Sequence, residues 1–213
     1  MNGIFALGLL SFLVGSVPFG LIFVRLFSGE DIRQKGSGNI GTVNVSRIAG
    51  FWPAGVLTFL CDALKGTITV LLASKFAAPI FETWTFFPTE SWQPGEPLLE
   101  WFCACMSVAG HCYSPWLKFR GGKGVATGFG AMAVLTPWAS LTAIVAFILM
   151  FLTLRIGSLA SLTGLLVLVI AHSVVPGFFI GPHLIFGGIL VFMILARHEK
   201  NLDALLESRE SRF

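Results

Sequence analysis

Between two long apolar runs lies the polar segment Gly36-Ser37-Gly38-Asn39-Ile40-Gly41-Thr42-Val43-Asn44-Val45-Ser46-Arg47. Glycines let the backbone turn so sharply that consecutive N–H groups point inward, and hydroxyl, amide and guanidinium groups add further donors. Such a segment suits an anion, above all a phosphate. A merely flexible turn would need the glycines but neither the two asparagines nor the arginine. The Gly-x-Gly-x-x-Gly spacing of 36–41 also occurs in dinucleotide-binding folds, but there it follows a strand, whereas here it follows an apolar run of membrane length.

The composition is that of an integral membrane protein. Of the 213 residues, 55% are hydrophobic and only 12% are charged, whereas soluble domains carry about 25% charged residues. The net charge of +3 is small and is distributed over several loops, so no nucleic-acid partner is expected. The first apolar run, from Gly3 to Phe27, is too long for the core of a signal peptide and is interpreted as a retained first helix.

The apolar runs predict an all-α polytopic membrane protein with about seven transmembrane helices, organised as a single domain over 1–213. A helix needs about 20 apolar residues to cross a hydrocarbon core of about 30 Å. One run, 124–136, is short and contains glycine, and we interpret it as a tilted or partial span. The predicted spans are 3–27, 54–79, 98–116, 124–136, 138–154, 158–175 and 183–197.

Basic residues decide between six and seven spans. If 124–136 crosses the membrane, the basic residues of four separate regions fall on one side, and only Lys75 lies clearly toward the other. Because positive charge accumulates in cytoplasmic loops, that side is predicted to be cytoplasmic, with the N-terminus outside and the C-terminus inside. Six spans would place the last two basic regions across the membrane from the first two. The basic residues concerned are Arg25, Arg33, Lys35, Arg47, Lys118, Arg120, Lys123, Arg155, Arg197, Lys200, Arg209 and Arg212.

A second glycine-and-cation element, Arg120-Gly121-Gly122-Lys123-Gly124, leads directly into an apolar helix. Free N–H groups and the positive end of the helix favour an anion there, with Lys123 beside it. Cations at a membrane edge also act as topology signals, but two such loops on one face favour binding. Further along, Ser158 fits either a helix N-cap or a site donor. His198 and Asn201 lie three apart on one helical face, which suits contact with phosphate, proton handling or simply a polar helix end.

Two charged residues, Asp62 and Lys65, lie three apart within the second apolar run. An unpaired charge at the bilayer centre costs at least about 2.5 to 3.5 kcal/mol, so such residues usually pair or line a cavity. An internal ion pair and a role in shaping the nearby polar site both fit. The cysteines lie in or beside apolar runs without metal-ligand spacing, which predicts buried thiols, no disulfide, no metal and no other cofactor: Cys61, Cys103, Cys105 and Cys112.

Several motifs occur in the same order as in a known enzyme family. They are Gly-Ser-Val-Pro-Phe-Gly at 15–20, the 36–47 loop, Asp62 with Lys65 and Gly66, Gly110-His111, the 119–127 loop and helix start, Ser158, and His198 with Asn201. In these residues the chain resembles the bacterial acyl-phosphate:glycerol-3-phosphate acyltransferases, nearly from end to end. The resemblance implies a seven-helix enzyme of the bacterial inner membrane with its active site facing the cytoplasm. The enzyme would move an acyl chain from acyl phosphate to the 1-hydroxyl of glycerol 3-phosphate, giving lysophosphatidic acid and phosphate as the first acylation of phospholipid synthesis.

The resemblance also implies roles for individual residues. Lys123, Arg47, His198 and Asn201 would be catalytic, and groups from both glycine loops would hold the phosphates of acyl phosphate and glycerol 3-phosphate. The acyl tail would lie in a groove between helices that is open to lipid. The expected substrate-binding residues are Ser37, Gly38, Asn39, Thr42, Asn44, Gly121, Gly122, Gly124 and Ser158.

The sequence departs from the family pattern at a few points. Ile40, Thr42 and Val43 replace the common Pro, Ala and Thr, and the usual Gly-Thr-Glu near the C-terminus is reduced to a glutamate, Glu210. No obligatory protein partner is expected beyond membrane lipid. The alternative function is a membrane transporter of phosphate or a small phosphate ester. A transporter would also need basic glycine loops, but it predicts a polar path that reaches the outer face.

Overall fold

The chain folds as a bundle of helices in the computed structural model, which describes residues 2–81, 97–174 and 182–213. These ranges contain no strand. The predicted outer loop at 80–97 and outer turn at 176–182 lie almost wholly outside the described residues. The α-helices of the described part are α1 (Asn2–Ser16), α2 (Phe19–Ser28), α3 (Thr42–Ala49), α4 (Val56–Phe81), α5 (Leu98–Cys112), α6 (Val125–Leu135), α7 (Pro137–Leu154), α8 (Gly157–Ser173), α9 (Pro182–Ala196) and α10 (Glu199–Leu206).

Three helical stretches are long and apolar enough to cross a membrane, and they coincide with the first, second and fifth predicted spans. They are Gly3–Ser28, Thr42–Phe76 and Pro137–Leu154. Shorter apolar helices follow at Val125–Leu135, Gly157–Ser173 and Leu184–Ala196. The helical membrane protein predicted from composition is therefore confirmed at this level.

Helix α6 is the short element on which the predicted number of spans depends. Its 11 residues rise only about 16 Å, roughly half of a hydrocarbon core of about 30 Å. Thr136 alone separates it from α7, which begins with Pro137. Proline fits this position because the first residue of a helix needs no N–H donor. The observed length suits the tilted or partial span expected here.

Both N-terminal spans are interrupted by a proline. Val17 and Pro18 separate α1 from α2, and a π-helical turn over Gly50–Gly55, which contains Pro53, separates α3 from α4. Proline cannot donate a backbone hydrogen bond, so neither run continues as one regular α-helix. The first break leaves the Val17 carbonyl available to a side chain from another helix.

That side chain is Lys65 of α4. Its Nζ lies 2.7 Å from Asp62 Oδ1, donates to the Val17 carbonyl at 2.9 Å and lies 3.1 Å from His111 Nδ1. Three partners match the three donors of a lysine ammonium group. The predicted internal ion pair is confirmed, and it also ties α4 to α5 and to the break between α1 and α2. Asp62 and His111 further line the cavity described below, so the pair also borders the polar site.

Glycines let two pairs of helices approach closely. A Cβ added to Gly15 or Gly110 would collide with a backbone carbonyl across the contact between α1 and α5. A Cβ added to Gly66 or Gly130 would do the same between α4 and α6. Small residues drive helix packing within a membrane because they allow backbones to touch. These contacts hold the end of α5 and the start of α6 in place, and the second glycine loop lies between them.

Candidate active site

Four polar regions meet at one end of the bundle. Arg47 of α3 donates to the backbone carbonyl of Ser211 at 3.1 Å. Arg197, which follows α9, donates to carbonyls of the loop at 120–124. The N–H of Phe213 donates to the Arg155 carbonyl at 2.6 Å. The basic regions that the sequence placed on one side are therefore joined by direct contacts.

A cavity of about 970 Å³ opens among these regions and continues between the helices. Its polar lining comes mainly from the first glycine loop (36–47), the second glycine loop (120–124), α8, α10 and the C-terminal tail, with Asp62 of α4 and His111 of α5, whereas most of the remaining lining is apolar. Gly38, Gly121, Gly122 and His198 do not belong to the lining. The predicted site residues that do line the cavity are Ser37, Asn39, Thr42, Asn44, Arg47, Lys123, Gly124, Ser158 and Asn201.

Asn44 braces the first glycine loop from within. Its buried Nδ2 donates to the Lys35 carbonyl at 3.1 Å and to the Asn39 carbonyl at 2.9 Å, and its Oδ1 accepts from the Ser37 N–H at 3.1 Å. Both amide donors are thus committed to the loop itself, as is the Ser37 N–H. This corrects the expectation that the Asn44 amide and the inward N–H groups serve directly as phosphate donors.

The first loop keeps several donors that are not committed in this way. Thr42 Oγ1 is buried without a hydrogen-bond partner in the described part of the chain, and its residue lines the cavity. The hydroxyl of Ser37 and the guanidinium of Arg47 belong to the same wall. Arg47 also lies 6.0 Å from the centre of the Phe213 ring. Side chains, more than backbone amides, therefore form the anion-suited face of this loop.

The backbone N–H groups of Gly121 and Gly122 are bonded to the protein. They donate to the carbonyls of Cys112 and His111, each at 3.0 Å, which fastens the loop to the end of α5. In this structure these two N–H groups are therefore committed to the protein, and a phosphate role for Gly121 and Gly122 stays a prediction. A Cβ at either position would collide with His111, so glycine is required here for close approach.

Arg197 holds the same loop from the opposite side. Its Nη2 donates to the Gly121 carbonyl at 2.8 Å and its Nε to the Gly122 carbonyl at 3.1 Å. In the sequence, Arg197 served only as an indicator of membrane topology. Its position directly before His198 was the available sign of a role at the site. With α5 on one side and Arg197 on the other, the loop presents Lys123, Gly124 and the first turn of α6 to the cavity. The first turn of a helix has N–H groups without intrahelical acceptors, so an anion is still favoured there.

Lys123 is a half-buried cation in the cavity wall. Burial lowers the pKa of its ammonium group to about 8; the charges of Arg47 and Arg197 act in the same direction, and the Glu210 carboxylate opposes them. The group is therefore mostly charged at neutral pH, yet poorly solvated. A charged but poorly solvated ammonium group is strongly stabilised when an anion binds beside it, because the anion replaces the missing solvent.

His198 is fully buried behind the cavity wall. Burial, followed by the charge of Lys123, lowers the pKa of the imidazole to about 4, so the ring is neutral at physiological pH. Nδ1 lies 2.8 Å from the Ile194 carbonyl, and because a carbonyl only accepts, Nδ1 must carry the proton. Nε2 is then an acceptor, and it has no partner among the described residues. The expected direct contact between His198 and glycerol 3-phosphate is not supported by this placement.

Glu210 joins two of the predicted site residues. Its Oε1 accepts from Ser158 Oγ at 2.6 Å and from Asn201 Nδ2 at 2.7 Å. The sequence offered only a reduced motif for this residue, yet it lines the cavity. The two bonds commit the Ser158 hydroxyl and one N–H of Asn201 to the protein, and they fasten the C-terminal tail to α8 and α10.

The chain is similar to known proteins over nearly its whole length. Residues 5–208 match the sequence model of the family described as glycerol-3-phosphate acyltransferase. Glycerol-3-phosphate acyltransferase of Anaeromyxobacter sp. (strain Fw109-5) is 38% identical over 204 residues, covering 94% of this chain and 92% of the relative. The protein of the same description from a Nitratiruptor species is 37% identical over 212 residues, covering 95% and 92%.

Two solved structures share the fold. The crystal structure of PlsY (YgiH), an integral membrane glycerol 3-phosphate acyltransferase, in its glycerol 3-phosphate form superposes with a TM-score of 0.82 at 34% identity and covers 99% of this chain and 96% of that one. The lysophosphatidic acid form of PlsY gives a TM-score of 0.80 at 32% identity, with coverage of 99% and 95%.

Proposed function

The chain belongs to the glycerol-3-phosphate acyltransferase family, as its motifs indicated, and from that premise we propose that it transfers an acyl chain from acyl phosphate to the 1-hydroxyl of glycerol 3-phosphate. The products are lysophosphatidic acid and inorganic phosphate, in the first acylation of phospholipid synthesis. The observation that carries the proposal is the two-part cavity, in which the half-buried Lys123, Arg47 and the hydroxyl groups of Ser37 and Thr42 lie at one end of an apolar groove between helices. One end suits phosphates, and the other suits an acyl tail.

The chemistry requires positioning and charge stabilisation more than a protein nucleophile. The hydroxyl oxygen of glycerol 3-phosphate attacks the acyl carbonyl carbon, the bond between that carbon and the phosphate oxygen breaks, and phosphate leaves. Phosphate is a good leaving group, so the acyl donor is already activated. Lys123 and Arg47, with the hydroxyls of Ser37 and Thr42, would hold the phosphates and stabilise the charge that develops on the leaving group. Ser158 and Asn201, which bond to Glu210, would orient the second substrate together with that carboxylate.

The proton of the attacking hydroxyl needs an acceptor. His198 is neutral, but its pKa of about 4 makes it a weak base, and it lies behind the wall. A phosphate monoester has a second pKa of about 6, which is closer to the working pH. We therefore assign proton uptake to a substrate phosphate and give His198 a positioning role beside Lys123.

The proposal extends to the topology. The chain crosses a bacterial inner membrane seven times, with the N-terminus outside and the site facing the cytoplasm. Residues 1–213 form one acyltransferase domain. The support is the contact between the four basic regions at one end of the bundle. In this topology the chain runs outward along α6 and back to the cytoplasmic side along α7, and it does the same along α8 and α9. Positive charge at that end favours the cytoplasmic side. No protein partner is required by this scheme.

The test uses purified protein in detergent or vesicles, acyl phosphate and labelled glycerol 3-phosphate, without acyl-CoA. We expect labelled lysophosphatidate. Lys123→Ala should lower kcat/KM by about 10² to 10³, the scale for losing a group that stabilises developing charge. Lys118→Ala is the matched control, because Lys118 is an exposed lysine at the same end of the bundle and does not line the cavity.

Two outcomes would contradict the proposal. Uptake of the label into vesicles without ester formation would identify a transporter. Equal activity of Lys123→Ala and Lys118→Ala would remove Lys123 from the site.

A further inference from the structure

Lys65 is a buried cation that has its partners inside the bundle. Its side chain is 3% exposed and does not line the cavity. The ammonium group lies 2.7 Å from Asp62 Oδ1 and donates to the Val17 carbonyl at 2.9 Å. Its third partner is His111 Nδ1, 3.1 Å away. Because an ammonium group only donates, Nδ1 must accept, so Lys65 fixes both the tautomer and the orientation of this imidazole ring.

His111 connects this cation to the second glycine loop. Its carbonyl accepts the Gly122 N–H at 3.0 Å, and its Nε2 is the atom nearest to a Cβ added to Gly122. His111 therefore contacts Gly122 through both its backbone and its ring. The next residue of the chain is Lys123, which lines the cavity. A displacement of the His111 ring would thus move the backbone that carries Lys123.

The residue after Lys65 contacts the other side of the same loop. A Cβ added to Gly66 would collide with the carbonyl of Thr127. Thr127 lies in the first turn of α6, four residues after Lys123. Helix α4 therefore contacts the helix before the loop through Lys65 and the helix after the loop through Gly66.

Helix packing alone does not explain why charges lie at this point. A charge within a membrane-spanning segment is costly, and replacing a buried ion pair by apolar residues of similar volume is often neutral or stabilising. Apolar residues would therefore join α4 to α5 equally well. The ammonium group adds directionality, because three partners in fixed directions define one arrangement of α4, α5 and the break between α1 and α2.

Given the proposed acyltransferase function, on which this role depends, we propose that Lys65 is a positioning residue. It holds Lys123 in the cavity wall through His111 and Gly122, without touching a substrate itself.

The test replaces the ion pair as a unit, because removing Lys65 alone would leave Asp62 charged and unpaired. The variants are Asp62→Asn/Lys65→Met and, since Asp62 lines the cavity, Asp62→Asn alone. We expect kcat of the double variant to lie at least about tenfold below that of Asp62→Asn, because misplacing a catalytic group by about 1 Å can cost about 10² in rate.

A second measurement reports on Lys123 without using the reaction. The rate at which acetic anhydride labels Lys123, followed by mass spectrometry against pH, gives the midpoint of its titration. Burial and the charges of Arg47 and Arg197 lower the pKa of Lys123 to about 8, against the Glu210 carboxylate. A displaced loop exposes the ammonium group to solvent, so the midpoint should rise to about pH 9 or above in the double variant.

His111→Phe is an independent variant that keeps the ion pair and the bulk of the ring and removes the acceptor for Lys65. It should change kcat and the labelling midpoint in the same directions by smaller amounts, and it decides the question if the double variant does not fold. Thr69→Val is the matched control. Thr69 is buried on α4 one turn after Lys65, bonds to the Gly66 carbonyl at 2.9 Å and does not line the cavity, so both measurements should stay unchanged.

Two results would overturn the proposal. One is an unchanged kcat in both the double variant and His111→Phe. The other is a fall in kcat with an unchanged labelling midpoint, which would mean that Lys65 serves only the stability of the bundle. If the unsubstituted protein forms no lysophosphatidate while the midpoint still rises in the variants, the acyltransferase function is refuted and the contact between Lys65 and the loop is retained.

Discussion

The two glycine loops have similar composition, but they are held in place in different ways. The first is braced from within, because the amide of Asn44 bonds to backbone groups of residues 35, 37 and 39. The second is fastened from outside, by the carbonyls at the end of α5 and by Arg197, which lies 75 residues further along the chain. Their glycines differ accordingly. Gly38 adopts a positive φ of 70°, whereas Gly121 permits contact with another backbone.

This difference shows that a glycine-rich basic loop need not bind an anion through its amides. In both loops many backbone N–H groups are committed to the protein, and the groups left for a ligand include side chains and the starts of α3 and α6. The second loop mainly holds Lys123 in position. Its position depends on α5, α6 and α9 together, so changes there should affect activity more than changes in the self-supporting first loop.

The two loops should differ most in the loss of kcat when one glycine of each loop is replaced by alanine. In Gly121→Ala, the new Cβ would collide with the backbone carbonyl of His111, so the loop and Lys123 must shift. A displacement of about 1 Å can cost about 10² in rate, and we expect a loss of that size in kcat. Gly38→Ala should cost only about 1 to 2 kcal/mol of stability, from its left-handed backbone. Equal loss of kcat in both variants would contradict the distinction between the loops.

A smaller effect is expected from removing the internal brace. Asn44→Ala leaves the Lys35 and Asn39 carbonyls and the Ser37 N–H without their partner. Each of these part-buried hydrogen bonds contributes about 0.5 to 1.5 kcal/mol, so the first loop should loosen and KM for glycerol 3-phosphate should rise about tenfold. Gln34→Ala serves as the control, because Gln34 is exposed just before the same loop and does not line the cavity. A KM in Asn44→Ala no higher than in Gln34→Ala would show that the brace does not shape the site.

The smallest effect concerns pH and tests the second loop alone. Because the pKa of Lys123 is lowered to about 8, the group is mostly charged at pH 7 and half neutral at pH 8. The neutral form cannot attract phosphate, so kcat/KM should fall about twofold between pH 7 and pH 8, and faster above. Lys123→Arg should have lower activity without this alkaline decline, since arginine stays charged. An alkaline decline that persists in Lys123→Arg would assign the titration to another group.

Much of the site could be predicted from residue types alone. Lys123, Arg47, Ser158 and Asn201 all reach one cavity end, as their placement in basic loops between apolar runs indicated. Other features depended on contacts between distant parts of the chain. Glu210 carried little sequence signal, because a single glutamate in a charged tail is ordinary, yet it binds residues from α8 and α10.

The differences between expectation and structure have one physical cause. A glycine in a sequence shows that a side chain is excluded, but not whether the reason is a left-handed turn, a ligand or another backbone. Gly121 and Gly122 were assigned to a ligand, and the structure places α5 against them. His198 was likewise placed on the site surface, because spacing on a helix gives a direction only when the rest of the bundle is known.

The sequence by itself determined that the protein is helical and lies in a membrane, which residues form polar loops, and which family it belongs to. These properties follow from local hydrophobicity, charge and motif order. The tertiary structure decided which donors are free, because a hydrogen bond uses a donor only when the partner is close in space. It also formed the cavity, since Trp101, His172 and Gly187, which line it, come from three helices that only packing brings together.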